Sequence, residues 1–412
     1  MVKMFLAGLL SLATLLPAFA DGANYDESKV PAYTLPDPLV FDNGKPVRKA
    51  RQWKKRRAEL LETFRAEMFG REPAAPRLRY ELLKVVPDAL GGLATMKEVK
   101  VLLEPSGEHY MVLLLFVPHA GKSPAPAFLG LNFCNNHGTT SLEEVSLPDS
   151  LQVLHYGPYY KRMERGEQTR RWPYEYILSQ GYACCTVFMD DIEPDERDSY
   201  DFGIRTVYDQ GKPRADSWGA VSAWAWGLSR ALDYLAADPD VDAARVAVHG
   251  HSRLGKTALW AGAVDERFAL VIANDSGCSG AALSRRAFGE TLSRLNRVFP
   301  YWFCDNYKRY SDNEASLPFD QHELIALIAP RPVYVASASE DLWADPYGEY
   351  LSLVHATPVY RLLGYDGFSS LEMPEIEVPK VQGRMGHHIR NGKHDMQLYD
   401  WQQYVAFANR FL

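Results

Sequence analysis

RVAVHGHSRLGKTALWAGA, residues 245–263, supports two incompatible readings. Gly250 to Thr257, GHSRLGKT, matches G-x-x-x-x-G-K-[ST] literally, the loop whose backbone N–H groups cradle phosphates. The same residues also describe a hydrophobic strand, VAV, that turns through Gly250-x-Ser252 into an alanine-rich helix. That is close to the nucleophile elbow of a serine hydrolase. The fit to G-x-S-x-G is imperfect: Leu254 stands where the second glycine is expected, and Gly255 comes one residue late.

The flanks favour the elbow. A phosphate loop usually follows the first strand of its domain, whereas several strand patterns and a long helical pattern precede this one. LVIAND, ending at Asp275, imitates the acidic strand of a nucleotide site, but that reading leaves the C-terminal histidines without a role. The elbow accounts for more. A serine at a strand-to-helix turn exposes its Oγ, and the following helix offers N–H groups to an oxyanion. The partners should follow in the order acid, then histidine. Asp275 ends the next strand, Asp341 sits just past the strand pattern RPVYVASAS, and His394 lies in the polar segment HHIRNGKHD before the last helical pattern. Serine needs a base to take its proton, and the base needs a carboxylate to hold its tautomer and stabilise the imidazolium.

Upstream and downstream, strand patterns (MKEVKVLLEP, EHYMVLLLFVPH, PAPAFLGLNF, YACCTVFMD, ARVAVHG, FALVIAND, RPVYVASAS and TPVYRLL) alternate with helical ones (YEYILSQG, WGAVSAWAWGLSRALDYLAAD, LGKTALWAGAVD and DWQQYVAFANRFL). Two early strands followed by strand–helix alternation predict an α/β domain with a mostly parallel sheet, and the elbow reading makes it an α/β-hydrolase three-layer sandwich. Residues 1–20, MVKMFLAGLLSLATLLPAFA, carry a lysine, an apolar run and an A-x-A site, the pattern of a cleaved secretory leader. Residues 21–412 then form one catalytic domain, secreted or periplasmic, where ATP is scarce. The net charge of −7 supplies no basic field for nucleic acid or anionic membranes. No ligand cluster asks for a metal or cofactor, and a monomer is expected.

Other features read blandly. Cys184 and Cys185, neighbours on a strand, point to opposite faces and cannot bridge each other. With Cys134, Cys278 and Cys304 the count is odd. The basic run KKRR (54–57) reads as a solvated helix face, the acidic stretch DDIEPDERDSYD (190–201) as a solvated loop, and His387 and His388 as strand and loop residues at the rim. NFCNNHGTT (132–140) is a candidate for completing the oxyanion wall.

GHSRLGKTALWAGA, NDSGCSGAAL, PYWFCDNYKRY, SASEDLWADPYGEYLS, HIRNGKHDMQLYDW and the opening LPDPLVFDNGKPV together resemble the bacterial glucuronoyl esterases of carbohydrate esterase family 15. In that family the elbow is G-x-S-R-x-G-K, which absorbs both the misfit and the phosphate-loop match. The resemblance implies an exported serine esterase acting on (4-O-methyl-)glucuronate esters, as in glucuronoxylan–lignin cross-links; another carbohydrate esterase, such as an acetyl xylan esterase, is the alternative. It makes Ser252 the nucleophile, His394 the base and Arg253 an oxyanion helper. It makes Lys256, Glu290 and Trp343 the sugar-binding residues. Members place the acid either where this chain has Asp275 or where it has Asp341. Fungal members carry a cysteine at the position of His251, bridged to the region of the histidine; this chain cannot make that bridge.

Overall fold

The computed structural model describes residues 23–149, 152 and 163–412; the expected leader lies outside them. Ten strands form one sheet. They are β1 (Tyr80–Asp88), β2 (Ala94–Leu102), β3 (Tyr110–Pro118), β4 (Ala125–Asn132), β5 (Ala183–Phe188), β6 (Val241–His251), β7 (Leu270–Asn274), β8 (Val333–Ala338), β9 (Lys380–Gln382) and β10 (Met385–Arg390). Their order is β1-β2-β3-β5-β4-β6-β7-β8-β10-β9. The block from β5 to β10 is parallel, with β1, β2 and β3 antiparallel at one end and β9 antiparallel at the other. This is the expected α/β-hydrolase arrangement.

Side-chain alternation sets the layers. Val246 and Val248 of β6 enter the larger core, with α1 (Ala50–Phe64), α3 (Ala220–Leu235), α4 (Arg253–Val264) and α5 (Pro346–Leu362). Ala247 enters the opposite core, with α2 (Tyr174–Ser179) and α6 (Leu398–Ala408). Cys185 and Cys184 divide the same way, as expected from their strand. All five cysteines are free and buried. No described helix is long and apolar enough to cross a membrane.

Four expectations are corrected. TPVYRLL is the end of α5, not a strand, despite Pro358. Tyr350, Leu353, Ala356, Thr357 and Tyr360 are buried at helical spacing, and that longer period overrides the local β-branched run. His387 and His388 are not at the rim; both lie fully buried in β10. His388 is held between the Tyr334 hydroxyl at 2.9 Å and Asp400 at 2.8 Å. KKRR is only half solvated. Lys54 and Lys55 are exposed, but Arg56 is buried against Asp42, and Arg57 donates to the Leu327 and Ala263 carbonyls.

The acidic stretch is the fourth. Glu193 is fully buried and takes the Arg205 guanidinium at 2.7 Å and the Arg205 N–H at 3.1 Å. Its backbone carbonyl accepts from the Trp224 indole at 2.7 Å. A Cβ on Gly203 would lie 1.9 Å from the Glu193 carboxylate, so only glycine lets the chain fold back over it. The loop is a pinned structure rather than a solvated one.

Candidate active site

The parallel strands end at one edge, where β6, β7 and β8 deliver their following loops together. Ser252 joins β6 to α4 at φ 58°, ψ −129°. That region costs a non-glycine residue about 1–3 kcal/mol, and packing enforces it. The Ser252 N–H donates to the Asn274 carbonyl at 2.9 Å, and its own carbonyl accepts from Gly255 at 2.8 Å. The glycine spacing now has a physical reason. A Cβ on Gly250 would sit 1.9 Å from the Leu254 carbonyl oxygen, and one on Gly255 would meet the Ser276 side chain at 3.0 Å. Leu254 itself points into the core. The second glycine is therefore needed at 255 and not at 254.

His394 Nδ1 bonds Asp341 Oδ2 at 2.6 Å. A carboxylate accepts, so Nδ1 carries the hydrogen and Nε2 is left as the basic nitrogen. The His251 ring lies against His394, centroids 4.5 Å apart. His251 is anchored by Asn274 Oδ1 at 2.6 Å. Burial, then the neighbouring His394, push its pKa well below the usual range. It is a neutral wall, not a second base.

Both candidate acids arrive at the histidine, but in different ways. Asp275 has φ 44° and is buried. Its Oδ2 accepts the Asp395 N–H at 3.3 Å and lies 3.9 Å from Arg390, while Oδ1 has no hydrogen-bond partner. Burial, then the charge of Asp341, raise its carboxyl well above the ordinary range. Ligand atoms of Asp275, Asp341 and His394 all lie within 4.8 Å of one another, the one grouping among the described residues with the spacing of a metal site. The 2.6 Å Asp341–His394 bond accounts for that closeness as an acid–base pair.

The histidine, Ser252, Arg253, Lys256, Asp275, Asp341, Glu290 and Trp343 line one cavity of about 350 Å³, so every residue expected at the site converges there. Lys256 is buried, donating to the Ser276 carbonyl at 2.7 Å and the Cys278 carbonyl at 2.5 Å, with Glu290 at 3.8 Å. Three donors with two spent leave one N–H for a ligand or Glu290. Burial raises the Glu290 carboxyl, and Lys256 opposes that shift. The Glu290 N–H donates to the Trp343 carbonyl at 2.9 Å, which ties the two segments together by their backbones. Behind them Glu349 accepts from Ser276 Oγ, the Gly277 N–H and Ser337 Oγ at 3.0, 2.9 and 2.6 Å.

Sequence reasoning missed Asp195, Phe299 and Trp302. Arg253 is ion-paired with Asp195 and covered by Trp302, Phe299 and Phe133, its guanidinium carbon 4.9, 5.5 and 5.9 Å from the ring centres. Phe133 is the contribution of NFCNNHGTT to this wall. Asp195 also accepts from the Tyr301 hydroxyl at 2.9 Å and the Trp302 indole at 2.7 Å. The signal was present in PYWFCDNYKRY, but nothing local connects it to an aspartate about a hundred residues earlier.

Known proteins place the chain in a family. A family profile described as "Glucuronyl esterase, fungi" matches residues 178–364. Carbohydrate esterase MZ0003, from an unknown prokaryotic organism, is 45% identical over 95% of this chain and 92% of its own. The chain belongs to carbohydrate esterase family 15. It is a carboxylic ester hydrolase of the glucuronoyl esterase type. The solved glucuronoyl esterase from Solibacter usitatus superposes with a TM-score of 0.87 at 45% identity, covering 93% of this chain and 99% of that one. A structure described as a promiscuous member of the family, from a marine bacterial metagenome, gives 0.86 at 44% identity over 95% and 100%. Fungal relatives are more distant: the 4-O-methyl-glucuronoyl methylesterase 1 of Wolfiporia cocos is 27% identical over 83% of this chain and 76% of its own.

Proposed function

We propose that this esterase hydrolyses esters of glucuronic acid and its 4-O-methyl ether through an acyl-enzyme on Ser252. The observation that carries the reading is one cavity holding both halves of the task. The 2.6 Å His394–Asp341 pair, Ser252, the Lys256–Glu290 pair, Trp302 and Trp343 all line that cavity. Ser252 Oγ adds to the ester carbonyl while His394 Nε2 takes its proton. The first N–H groups of α4, which have no partner within the helix, and Arg253 receive the oxyanion. One such preorganised donor is worth about 3–4 kcal/mol of barrier. His394 then protonates the departing alcohol, and a water deprotonated by the same nitrogen releases glucuronate and restores Ser252. Lys256 and Glu290 hydrogen-bond the ring hydroxyls, and the indole rings pack on the sugar's apolar face.

The natural substrate in this reading is a glucuronoxylan ester, including its cross-links to lignin alcohols. The leader over residues 1–20 delivers the enzyme to the secreted or periplasmic space, where such polymers are found. The test compares kcat/KM for methyl and benzyl glucuronate with release of acetate from acetylated xylan. Glucuronate esters should be preferred by orders of magnitude; equal or faster acetate release would establish the acetyl xylan esterase alternative. N-terminal sequencing of the exported protein should begin at Asp21.

A further inference from the structure

Arg253 sits where the reaction changes charge. The substrate ester is neutral, whereas the product is a carboxylate left beside this guanidinium. An unopposed arginine would hold the product more tightly than the substrate, and turnover would end in a blocked site. Asp195 lies on the other side of that arginine. One of its oxygens is ion-paired with Arg253 Nη1; the other takes the Tyr301 hydroxyl at 2.9 Å and the Trp302 indole at 2.7 Å. Its side chain is 9% exposed and that of Arg253 is 30% exposed, so the pair is only partly screened by water. The carboxylate does not float on a flexible loop, since the adjoining Glu193 is locked to Arg205 and Trp224. Arg253 Nε is buried and without a hydrogen-bond partner. The guanidinium is thus held at one end and has donor capacity left.

We propose that Asp195 is the residue that lets this site discriminate the neutral ester from the acid it produces: it orients Arg253 toward the ester carbonyl while cancelling the charge that would retain glucuronate. This rests on the glucuronate-ester reading above. The other charged groups facing the cavity, Lys256, Glu290, Asp341, Asp275 and His394, are common to both ligand states and are untouched by a change at Asp195. A ratio of affinities therefore isolates its effect. Asp195 is a positioning residue, acting on the reaction through Arg253 and the Trp302 wall.

The experiment measures the Kd of methyl glucuronate and of free glucuronate by calorimetry at pH 7.5. It uses Ser252→Ala protein, which cannot turn over the ester, with and without Asp195→Asn. Asparagine keeps an oxygen for Tyr301 and Trp302 but drops the charge on Arg253. Glucuronate should bind on the order of tenfold more tightly after the change, as expected for removing one anion beside a half-screened cation, while the ester changes less than about threefold. Progress curves of Asp195→Asn enzyme with intact Ser252 should show matching product inhibition. A merely structural role predicts that both ligands weaken together. That result, or an unchanged ratio, overturns the proposal. Should Asp195→Asn not fold, the protein with Asp195 intact still decides: glucuronate binding tenfold tighter than methyl glucuronate would mean that Asp195 does not perform this task. If enzyme with Ser252 intact hydrolyses methyl glucuronate and the ratio stays put, only this inference falls; if it does not hydrolyse the ester at all, the functional reading falls first.

Discussion

Replacing Asp341 with asparagine should cripple the esterase without killing it, because Asp275 stands in reserve. Asp341 makes the 2.6 Å bond to His394 Nδ1. In a triad with a single acid, the equivalent loss costs roughly 10⁴ in rate. Here a second carboxylate has a ligand atom within 4.8 Å of the imidazole. At that distance and an effective dielectric constant of about 20, one anion stabilises the imidazolium by roughly 3.5 kcal/mol, a few hundredfold in rate. The full benefit is not available in the intact enzyme, since burial and the Asp341 charge favour the protonated form of Asp275. Removing the Asp341 charge relieves the second of those causes, so the substitution itself promotes ionisation of the reserve acid. Asp341→Asn should therefore lose about 10² in kcat/KM, Asp275→Asn about tenfold, and the double variant about 10⁴. The assay is initial-rate kinetics on methyl glucuronate for both single variants and the double. Should Asp341→Asn be silent while Asp275→Asn alone abolishes turnover, the roles are reversed. A double variant no worse than Asp341→Asn would show that Asp275 contributes nothing.

Ser252→Ala should abolish esterase activity with an unchanged melting temperature, and a phosphonate ester should add its mass to the Ser252 protein alone; labelling of the alanine variant would refute the acyl-enzyme. Exhaustive chelation should leave kcat/KM unchanged, because the Asp275–Asp341–His394 grouping is used as acids and base; a loss restored by added zinc would mean otherwise. Glu323 is fully buried near Arg56, and burial pushes its carboxyl up to about 8. The native state then binds this proton more tightly than the unfolded chain, so stability falls as pH rises from about 4.5 through about 8. Glu323→Gln should remove that fall, leaving stability similar at pH 4 and raising it by a few kcal/mol at pH 8.5 in urea titrations; parallel pH slopes for the two proteins would refute the assignment. Trp343→Ala should raise KM for methyl glucuronate several-fold with a smaller change in kcat, and an effect confined to kcat would exclude it from sugar binding.

The sheet and the Ser252 elbow were legible because each is written locally. β-Branched runs mark the buried parallel strands, and Gly250, Ser252 and Gly255 are forced by contacts within a few residues. What escaped was written at long range. β1 leaves Tyr80, Leu82, Leu83 and Val85 exposed at 44–52%, so no alternation announces it, and only pairing to β2 makes it a strand. Asp195 looked like one acid among many because its partners Arg253, Tyr301 and Trp302 follow it by 58 to 107 residues. His387 and His388 read as polar, but two imidazoles buried in β10 obey the tertiary environment rather than propensity. The choice between Asp341 and Asp275 could not be made from spacing, since both follow strands that end at the same edge.

The start of the described chain is built into the catalytic rim. The Asn24 carbonyl accepts the Gly289 N–H at 2.8 Å, one residue before Glu290. Glu27 closes on Arg286 at 2.7 and 2.9 Å, and Arg286 in turn grips Asp345, just beyond Trp343. Residues 24–27 are therefore tied to the segments that carry Glu290 and Trp343. For anyone building tools from this enzyme, a purification handle, a cellulose-binding module or a surface-display anchor belongs away from this clasp, for instance toward the end of α6, which begins beside the His394 loop and runs back from the catalytic edge. The same clasp is a handle of another kind: substitutions at Glu27 or Arg286 would loosen the rim that carries Glu290 and Trp343 without changing Ser252, His394 or either candidate acid.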